Sequence, residues 1–294
     1  MDGFLNVSKP LGWTSHDVVA LIRGLSQTKR VGHAGTLDPA AAGVLLVAVG
    51  RATRLVDYLV EQDKSYCGDF VLGAATDTDD AEGHVLYVRD PSNITLGQVA
   101  GGLARFLGDI EQVPPQYSAV KIGGRKAYEI ARRGGEARMA ARRVSIKGLA
   151  IVEWMSPVAS VLVHASKGTY VRSLARDLGE SLGVGCHLGA LVRLTVGRFD
   201  CCDAVDVDDL RLAAEFGYLD RLLYSPDVAV AHLPAILLSE QRARDMVRGK
   251  QWPAAEARAT RGPVRVYSEA GSFLGLAERR GDNWQPKLVM QEGE

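Results

Sequence analysis

Gly32-His33-Ala34-Gly35-Thr36-Leu37-Asp38-Pro39 runs directly into Ala40-Ala41-Ala42-Gly43-Val44-Leu45-Leu46-Val47-Ala48-Val49-Gly50. From Gly43 onward the second stretch is an unbroken apolar segment closed by glycine, the pattern of a buried strand. The first stretch is irregular, because two glycines and a proline oppose any regular element. It presents one carboxylate, Asp38. An aspartate on a Gly/Pro loop at the mouth of a strand is how a scaffold offers a single reactive carboxylate. The same letters also spell an ordinary turn. The rest of the chain decides between the two.

Composition sets the class. With 294 residues, 47% hydrophobic and 24% charged, the chain is long enough for one large domain and a small one around a sizeable core. The longest apolar run, Ala40 to Gly50, is too short to span a bilayer, and Met1-Asp2-Gly3-Phe4-Leu5 has neither a basic nor an apolar leader region. Cys67, Cys186, Cys201 and Cys202 form no CxxC pair, which argues against a disulfide framework and a zinc site. A reduced, cytoplasmic setting is expected.

Formal net charge is zero, yet the charges are segregated. Lys121, Arg125, Lys126, Arg132, Arg133, Arg138, Arg142, Arg143 and Lys147 face only Glu129 and Glu136 in that stretch. Arg242, Arg244, Arg248, Lys250, Arg258, Arg261 and Arg265 form a second basic cluster against Asp245 and Glu256. The balancing acid lies in residues 61–90 and 200–227. Such segregation suits a polyanion on one face, although either cluster alone also fits a solvated surface.

Element signals alternate irregularly. Strands are expected at residues 4–7, 43–50, 66–72, 84–88, 142–153, 158–165 and 187–196, and helices after Thr14-Ser15, over 52–59, from the Thr95-Leu96-Gly97-Gln98 capping box to about Phe106, and over 170–182. This mixture predicts an α+β fold with a mixed, largely antiparallel central sheet and flanking helices. Composition changes near Tyr224-Ser225-Pro226 and Leu233-Pro234. Beyond them, a helix at 239–248 and strands at 264–267, 273–277 and 284–289 predict a small β-rich domain, giving a division into 1–232 and 233–294.

Several motifs carry no chemistry. Gly179-Glu180-Ser181-Leu182-Gly183 matches GxSxG but ends a helical segment instead of sitting at a strand-to-helix elbow. Asp77-Thr78-Asp79-Asp80-Ala81-Glu82-Gly83-His84 fails the EF-hand pattern at Glu82 and Val88 and reads as a solvated acidic turn. Ser166-Lys167-Gly168-Thr169 lacks the upstream glycine of a phosphate loop, and there is no GxGxxG. No cofactor or metal is therefore expected. Asp38 remains, with three possible helper segments around Tyr66, Pro114 to Lys121, and Tyr170 to Gly179. Taken singly, Tyr66 reads as a sheet-packing residue and Arg172 as a surface arginine on a first helical turn.

Four segments together, GHAGTLDPAAAGVL, LVEQDKSYCGDF, PPQYSAVK and SKGTYVRSLARDLG, resemble the TruB-type tRNA pseudouridine synthases. The likeness runs from Asn6 to about Phe199 and resumes in a module similar to the PUA RNA-binding domain. It implies the pseudouridine synthase fold and isomerisation of uridine 55 in the T arm of tRNA, without cofactor or metal. It implies Asp38 as nucleophile, Tyr66 stacking on the target base, and Arg172 paired with Asp38. His33, Tyr170 and Leu191 would contact or line the base pocket, and Lys9 and Asp80, which with Pro10 also follow the family pattern, would join them as substrate-binding residues. Ala34, where the family often has Thr, and the small residues at 40–42 depart from it without removing a reactive group.

The physical demands agree with this reading. A uridine inside an RNA loop must be flipped out at a cost of a few kcal/mol. Stacking side chains offset this at roughly 1–3 kcal/mol per base. One carboxylate serves attack at C1′, attack at C6, or elimination to a glycal equally well. Two other readings compete: a non-catalytic RNA-binding protein, and the related guide-RNA-dependent synthases with their protein partners. The joint presence of Asp38, Tyr66 and Arg172 opposes the first. The compact chain favours a monomer acting alone over the second. A GxSxG hydrolase is the remotest alternative.

Overall fold

The computed structural model describes residues 1–290 apart from 119, 123, 128–129, 131–134, 136–138 and 255–261. Arg132, Arg133, Arg138, Arg258 and Arg261 of the two basic clusters lie outside the described residues. β1 (Gly3–Lys9) runs antiparallel to β3 (Ala41–Val49), the apolar run read above, and β2 (Val31–His33) pairs with the far end of β3. Between them, α1 (Ser15–Ser26) opens on a Thr14 capping box with Asp17 and packs Val18, Val19 and Ile22 on the sheet. After Gly50, at φ +65°, the chain takes a 3₁₀ turn over Gly50–Leu55 and only then the short helix α2 (Val56–Val60), in place of one helix over 52–59.

β4 (Lys64–Leu72) alternates buried and half-buried positions. A hairpin of β5 (Ala74–Thr76) and β6 (Val85–Val88) flanks the acidic turn. Then come α3 (Leu96–Ala104), β7 (Gly108–Gln112), and a small ribbon of β8 (Lys121–Ile122) and β9 (Arg125–Lys126). β10 (Arg142–Met155) and β11 (Val158–Ala165) form the hairpin expected around Ser156-Pro157. α4 (Val171–Leu182) leads into β12 (Cys186–Val196), which pairs with β13 (Phe199–Asp200).

The main sheet has the order β1-β3-β12-β4-β11-β10-β7, with β2 on β3 and β13 on β12. Among the described residues every pair in it is antiparallel except β3 with β12. The fold is thus the mixed, largely antiparallel α+β arrangement expected. That single parallel pair decides the site, because it sets Leu191 beside Ala41 and Arg193 beside Gly43.

The approach is close enough to exclude a side chain at Gly43, which has φ +102° and whose added Cβ would lie 2.3 Å from the Arg193 carbonyl oxygen. Gly43→Ala is expected to destabilise the protein by about 2–4 kcal/mol through strain and overpacking. Urea denaturation measures it; an unchanged midpoint would mean the backbones separate freely.

After α5 (Val207–Glu215) the chain enters the small β-rich unit. β14 (Ala235–Leu238), α6 (Glu240–Val247), β15 (Trp252–Pro253), β16 (Val264–Ser268), β17 (Phe273–Arg280) and β18 (Asn283–Val289) build a sheet of order β14-β16-β17-β18-β15. Leu238, Met246, Trp252, Val266 and Trp284 form its own core. Leu276 and Met290 instead join Phe4, Val44, Leu46 and Phe199 in a core cluster of the large unit. The two units therefore share buried apolar surface.

One of the GxSxG glycines is explained by packing and the other by backbone conformation. A Cβ on Gly179 would sit 2.1 Å from the Cys186 backbone nitrogen, and Gly183 caps α4 at φ +75°. Among the described residues no helix is long and apolar enough to cross a membrane.

Candidate active site

The Asp38 loop is held from behind by buried polar groups. Ser15, beside the Thr14 cap, is itself no cap: its Oγ donates to Leu37 O at 3.0 Å and accepts from Leu37 N at 2.8 Å. Lys9 is fully buried, with Nζ donating to Pro10 O at 2.8 Å, Trp13 O at 2.6 Å and, more weakly, Pro39 O at 3.5 Å. Burial pushes its ammonium down to about 8. Gly12 N–H reaches Pro39 O at 2.9 Å, and Ala41 N–H closes the loop on Asp38 O at 3.0 Å. The backbone around Asp38 is pinned while its side chain stays about half exposed.

Arg172 meets it from the first turn of α4. Its Nη2 lies 2.8 Å from Asp38 Oδ2 and donates to Tyr117 O at 3.0 Å; its Nη1 lies 3.2 Å from Asp80 Oδ2 and 3.2 Å from Thr78 O. With only 7% of its side chain exposed, Arg172 is a buried junction of three segments, not a surface arginine. A guanidinium suits this position because its planar fork serves several acceptors at once.

The acidic turn also differs from the solvated reading. Asp79 is buried and paired with Arg176 at 2.9 Å, one helical turn beyond Arg172 on the same face of α4. Burial, only partly offset by Arg176 and Arg172, raises the Asp79 carboxyl to about 6. Its folded-state value thus lies above the ordinary 3.8, so the folded chain holds the extra proton in that window and stability falls as pH rises from about 4 to 6. Relative to Asp79→Asn, wild type should lose its stability advantage across this range in denaturant melts. A constant or widening gap would contradict it.

The inner wall comes from neighbouring strands. Register places Tyr66 of β4 opposite Arg193 of β12 and Gly68 opposite Leu191. A Cβ on Gly68 would crowd the Leu191 side chain at 3.2 Å, so the glycine makes room for it. Tyr66 is nearly buried, and its hydroxyl is raised by that burial against the opposing pull of Arg193 beside it. Tyr170, just before α4, is fixed through its backbone: its N–H donates to Gln112 Oε1 at 2.8 Å and its carbonyl accepts from Nε2 at 3.1 Å.

Asp38, Tyr66, Tyr170, Arg172 and Leu191 line one cleft of about 260 Å³. Lys64, Lys167 and Arg193 line it too, so four cations stand against one carboxylate among its described lining residues. Burial brings Lys64 down to about 8, with Nζ on Val60 O and Gln62 O. Asp80 reaches the cleft through Arg172. Lys9 lies beneath the loop, outside the cleft lining. His33 also stands outside it, on β2, its buried Nδ1 without a hydrogen-bond partner among the described residues; burial and Arg193 hold its imidazole below the ordinary value. Ser15, Gln112, Lys64 and Arg193 were not singled out by the sequence.

The chain matches three family models: TruB family pseudouridylate synthase (N terminal domain) over residues 23–171, tRNA pseudouridylate synthase B C-terminal domain over 172–231, and Pseudouridine synthase II TruB, C-terminal, over 234–288. It is 44% identical to tRNA pseudouridine synthase B of Thermobifida fusca over 297 residues, 98% of each chain. It is 41% identical to the protein of that name from Microcystis aeruginosa over 300 residues, 99% of this chain and all of the relative. Among solved structures, the fold resembles a chain in an H/ACA RNP bound to a substrate RNA containing 2′-deoxyuridine, at TM-score 0.75 and 23% identity, covering 99% of this chain and 86% of that one. It also resembles a chain of a Cbf5-Nop10-Gar1 complex, at TM-score 0.74 and 25% identity, covering 99% and 85%. With models matching along nearly its whole length and relatives this similar over their full span, the chain belongs to the TruB family of pseudouridylate synthases.

Proposed function

We propose that the protein converts uridine 55 in the T arm of tRNA to pseudouridine, with Asp38 as the nucleophile. The observation that carries this reading is the Asp38–Arg172 pair at 2.8 Å on the rim of a cationic cleft walled by Tyr66, Tyr170 and Leu191. The uridine is flipped out of the T loop, and aromatic and apolar walls receive its base. The N1–C1′ bond breaks, C5 bonds to C1′, C5 loses its proton and N1 gains one, so atoms balance without a cofactor. Arg172 keeps the Asp38 carboxylate aimed at the ribose and base. Lys64 and Arg193, buried in the wall, and Lys167, which also pairs with Glu61, add positive potential to the cleft that receives the phosphodiester chain.

Residues 233–294 act as a PUA-like RNA-holding module whose described basic residues include Arg242, Arg244, Arg248 and Lys250. In this reading the enzyme acts as a cytoplasmic monomer without a protein partner. The test is an unmodified tRNA transcript incubated with pure protein, beside a transcript carrying cytidine at position 55. One pseudouridine per tRNA is expected from the first and none from the second. Modification elsewhere, or none in either, overturns the proposal.

A further inference from the structure

Two of the free cysteines, Cys201 and Cys202, are neighbours in the chain and follow directly on Asp200 at the end of β13. Their ligand atoms, two thiol sulfurs and one carboxylate oxygen, all lie within 4.8 Å of one another. Among the described residues no other trio of His, Cys, Asp or Glu side chains converges in this way. CxxC spacing, the usual mark of a thiolate site, is absent, and adjacency gathers the sulfurs instead.

The local backbone explains the gathering. Asp200 pairs with Thr195 of β12, and its carbonyl accepts from Asn6 Nδ2 at 2.8 Å. The chain then makes a single 3₁₀ turn over Cys201–Asp203, which Asp200 caps: its Oδ1 accepts from Cys202 N–H at 2.9 Å. This bond turns the carboxylate back over the turn that carries both thiols and leaves Oδ2 for a cation. Cys201 is half-buried against the core cluster of Phe4 and Phe199, while Cys202 is exposed. The trio thus has one side anchored in the fold and the other open to solvent, so little further ordering is needed to bind.

The donor set selects the ligand. Two sulfurs and one oxygen suit a borderline-soft cation, whereas Mg²⁺ and Ca²⁺ take oxygen ligands. Zinc, with bonds of about 2.3 Å to sulfur and about 2.1 Å to oxygen, would hold these atoms about 3.6–3.8 Å apart in a tetrahedral site. Side-chain rotation of about an ångström closes the trio to that spacing.

We propose that Asp200, Cys201 and Cys202 form a surface site for one thiophilic divalent cation, Zn²⁺ above all, with water as the fourth ligand. None of the three residues lines the cleft, so the site is separate from the chemistry at Asp38. Its effect is on the fold. A cation there ties the end of β13 to the following turn and, through Asp200, braces β12 and Asn6 of β1. Binding that favours the folded chain in this way raises its stability.

The test uses the full-length protein, reduced and stripped of metal under nitrogen. Cd²⁺ is the probe, because cadmium thiolates give a charge-transfer band in the ultraviolet. One equivalent per chain is expected to bind at micromolar protein, to yield to excess Zn²⁺ and to ignore excess Mg²⁺. Cys202→Ser, at an exposed position, should weaken binding at least about 100-fold. Asp200→Asn keeps the helix cap, since asparagine caps as well as aspartate, and should weaken binding at least about tenfold. Cys67→Ser, on β4, should bind as wild type does. One equivalent of Zn²⁺ should raise the melting temperature of wild type but not of Cys202→Ser. No binding by the reduced protein overturns the proposal. So does binding that survives Cys202→Ser, which would place the cation on Cys67 or Cys186. Full affinity in Asp200→Asn overturns the three-ligand site as well, because the dithiol alone would then suffice.

Discussion

Asp38→Asn should abolish turnover, by about 10⁴-fold or more in single-turnover rate, while tRNA affinity stays within a few fold of wild type. The amide preserves the side chain's shape and leaves the loop's backbone bonds through Ser15, Lys9 and Gly12 untouched. It removes the nucleophilic charge and half of the pair with Arg172. Arg172 keeps Asp80 and two carbonyls as partners, so the fold should persist. Quenched-flow assays on pure protein, with filter binding in parallel, measure both quantities. Multiple turnover by the Asn variant would remove Asp38 from the chemistry.

Arg172→Lys should lose about 10²-fold or more in rate and, unlike a surface substitution, should also lower stability by about 1–3 kcal/mol. A single ammonium cannot serve Asp38, Asp80, Thr78 O and Tyr117 O from one point. Carbonyls and a carboxylate that are mostly buried would then lack donors. Thermal melts and single-turnover rates on the same preparation check both parts. Wild-type rates with a lowered melting point would make Arg172 a structural clamp only.

What the sequence made legible was local. The Gly/Pro/Asp composition marks the Asp38 loop, the apolar run marks β3, and the capping boxes at Thr14 and Thr95 mark two helix starts. Arg193 was illegible because its partners are the backbone carbonyls of Gly35, Thr36 and Val44, which no sequence letter records. In a strand, an arginine at an alternating position reads as solvent-facing until the neighbouring strands are known. The turn from Asp77 to His84 was misread for a related reason. Its acids look solvated until Arg172 and Arg176, four apart on α4, are seen to face them. That i, i+4 arginine pair was the available signal. Ser15 and Gln112 each resemble ordinary polar residues, and only their buried two-sided contacts to backbone distinguish them.

The parallel seam between β3 and β12 also has a consequence for how the enzyme comes into being. Residues 41–43 meet residues 191–193 across a sequence gap of some 150 positions. Contacts this distant form slowly, because a long loop must close before they are rewarded. During synthesis Asp38 emerges early, yet its wall of Leu191 and Arg193 arrives only after β12 has left the ribosome. Until then β4 exposes the edge that β12 covers, and β3 exposes residues 41–43 of an edge whose far end β2 already holds, the kind of surface that recruits other unfinished chains. Catalytic competence is therefore a late event in the life of each molecule, since the cleft gains Leu191 and Arg193 only when β12 inserts between its two neighbours.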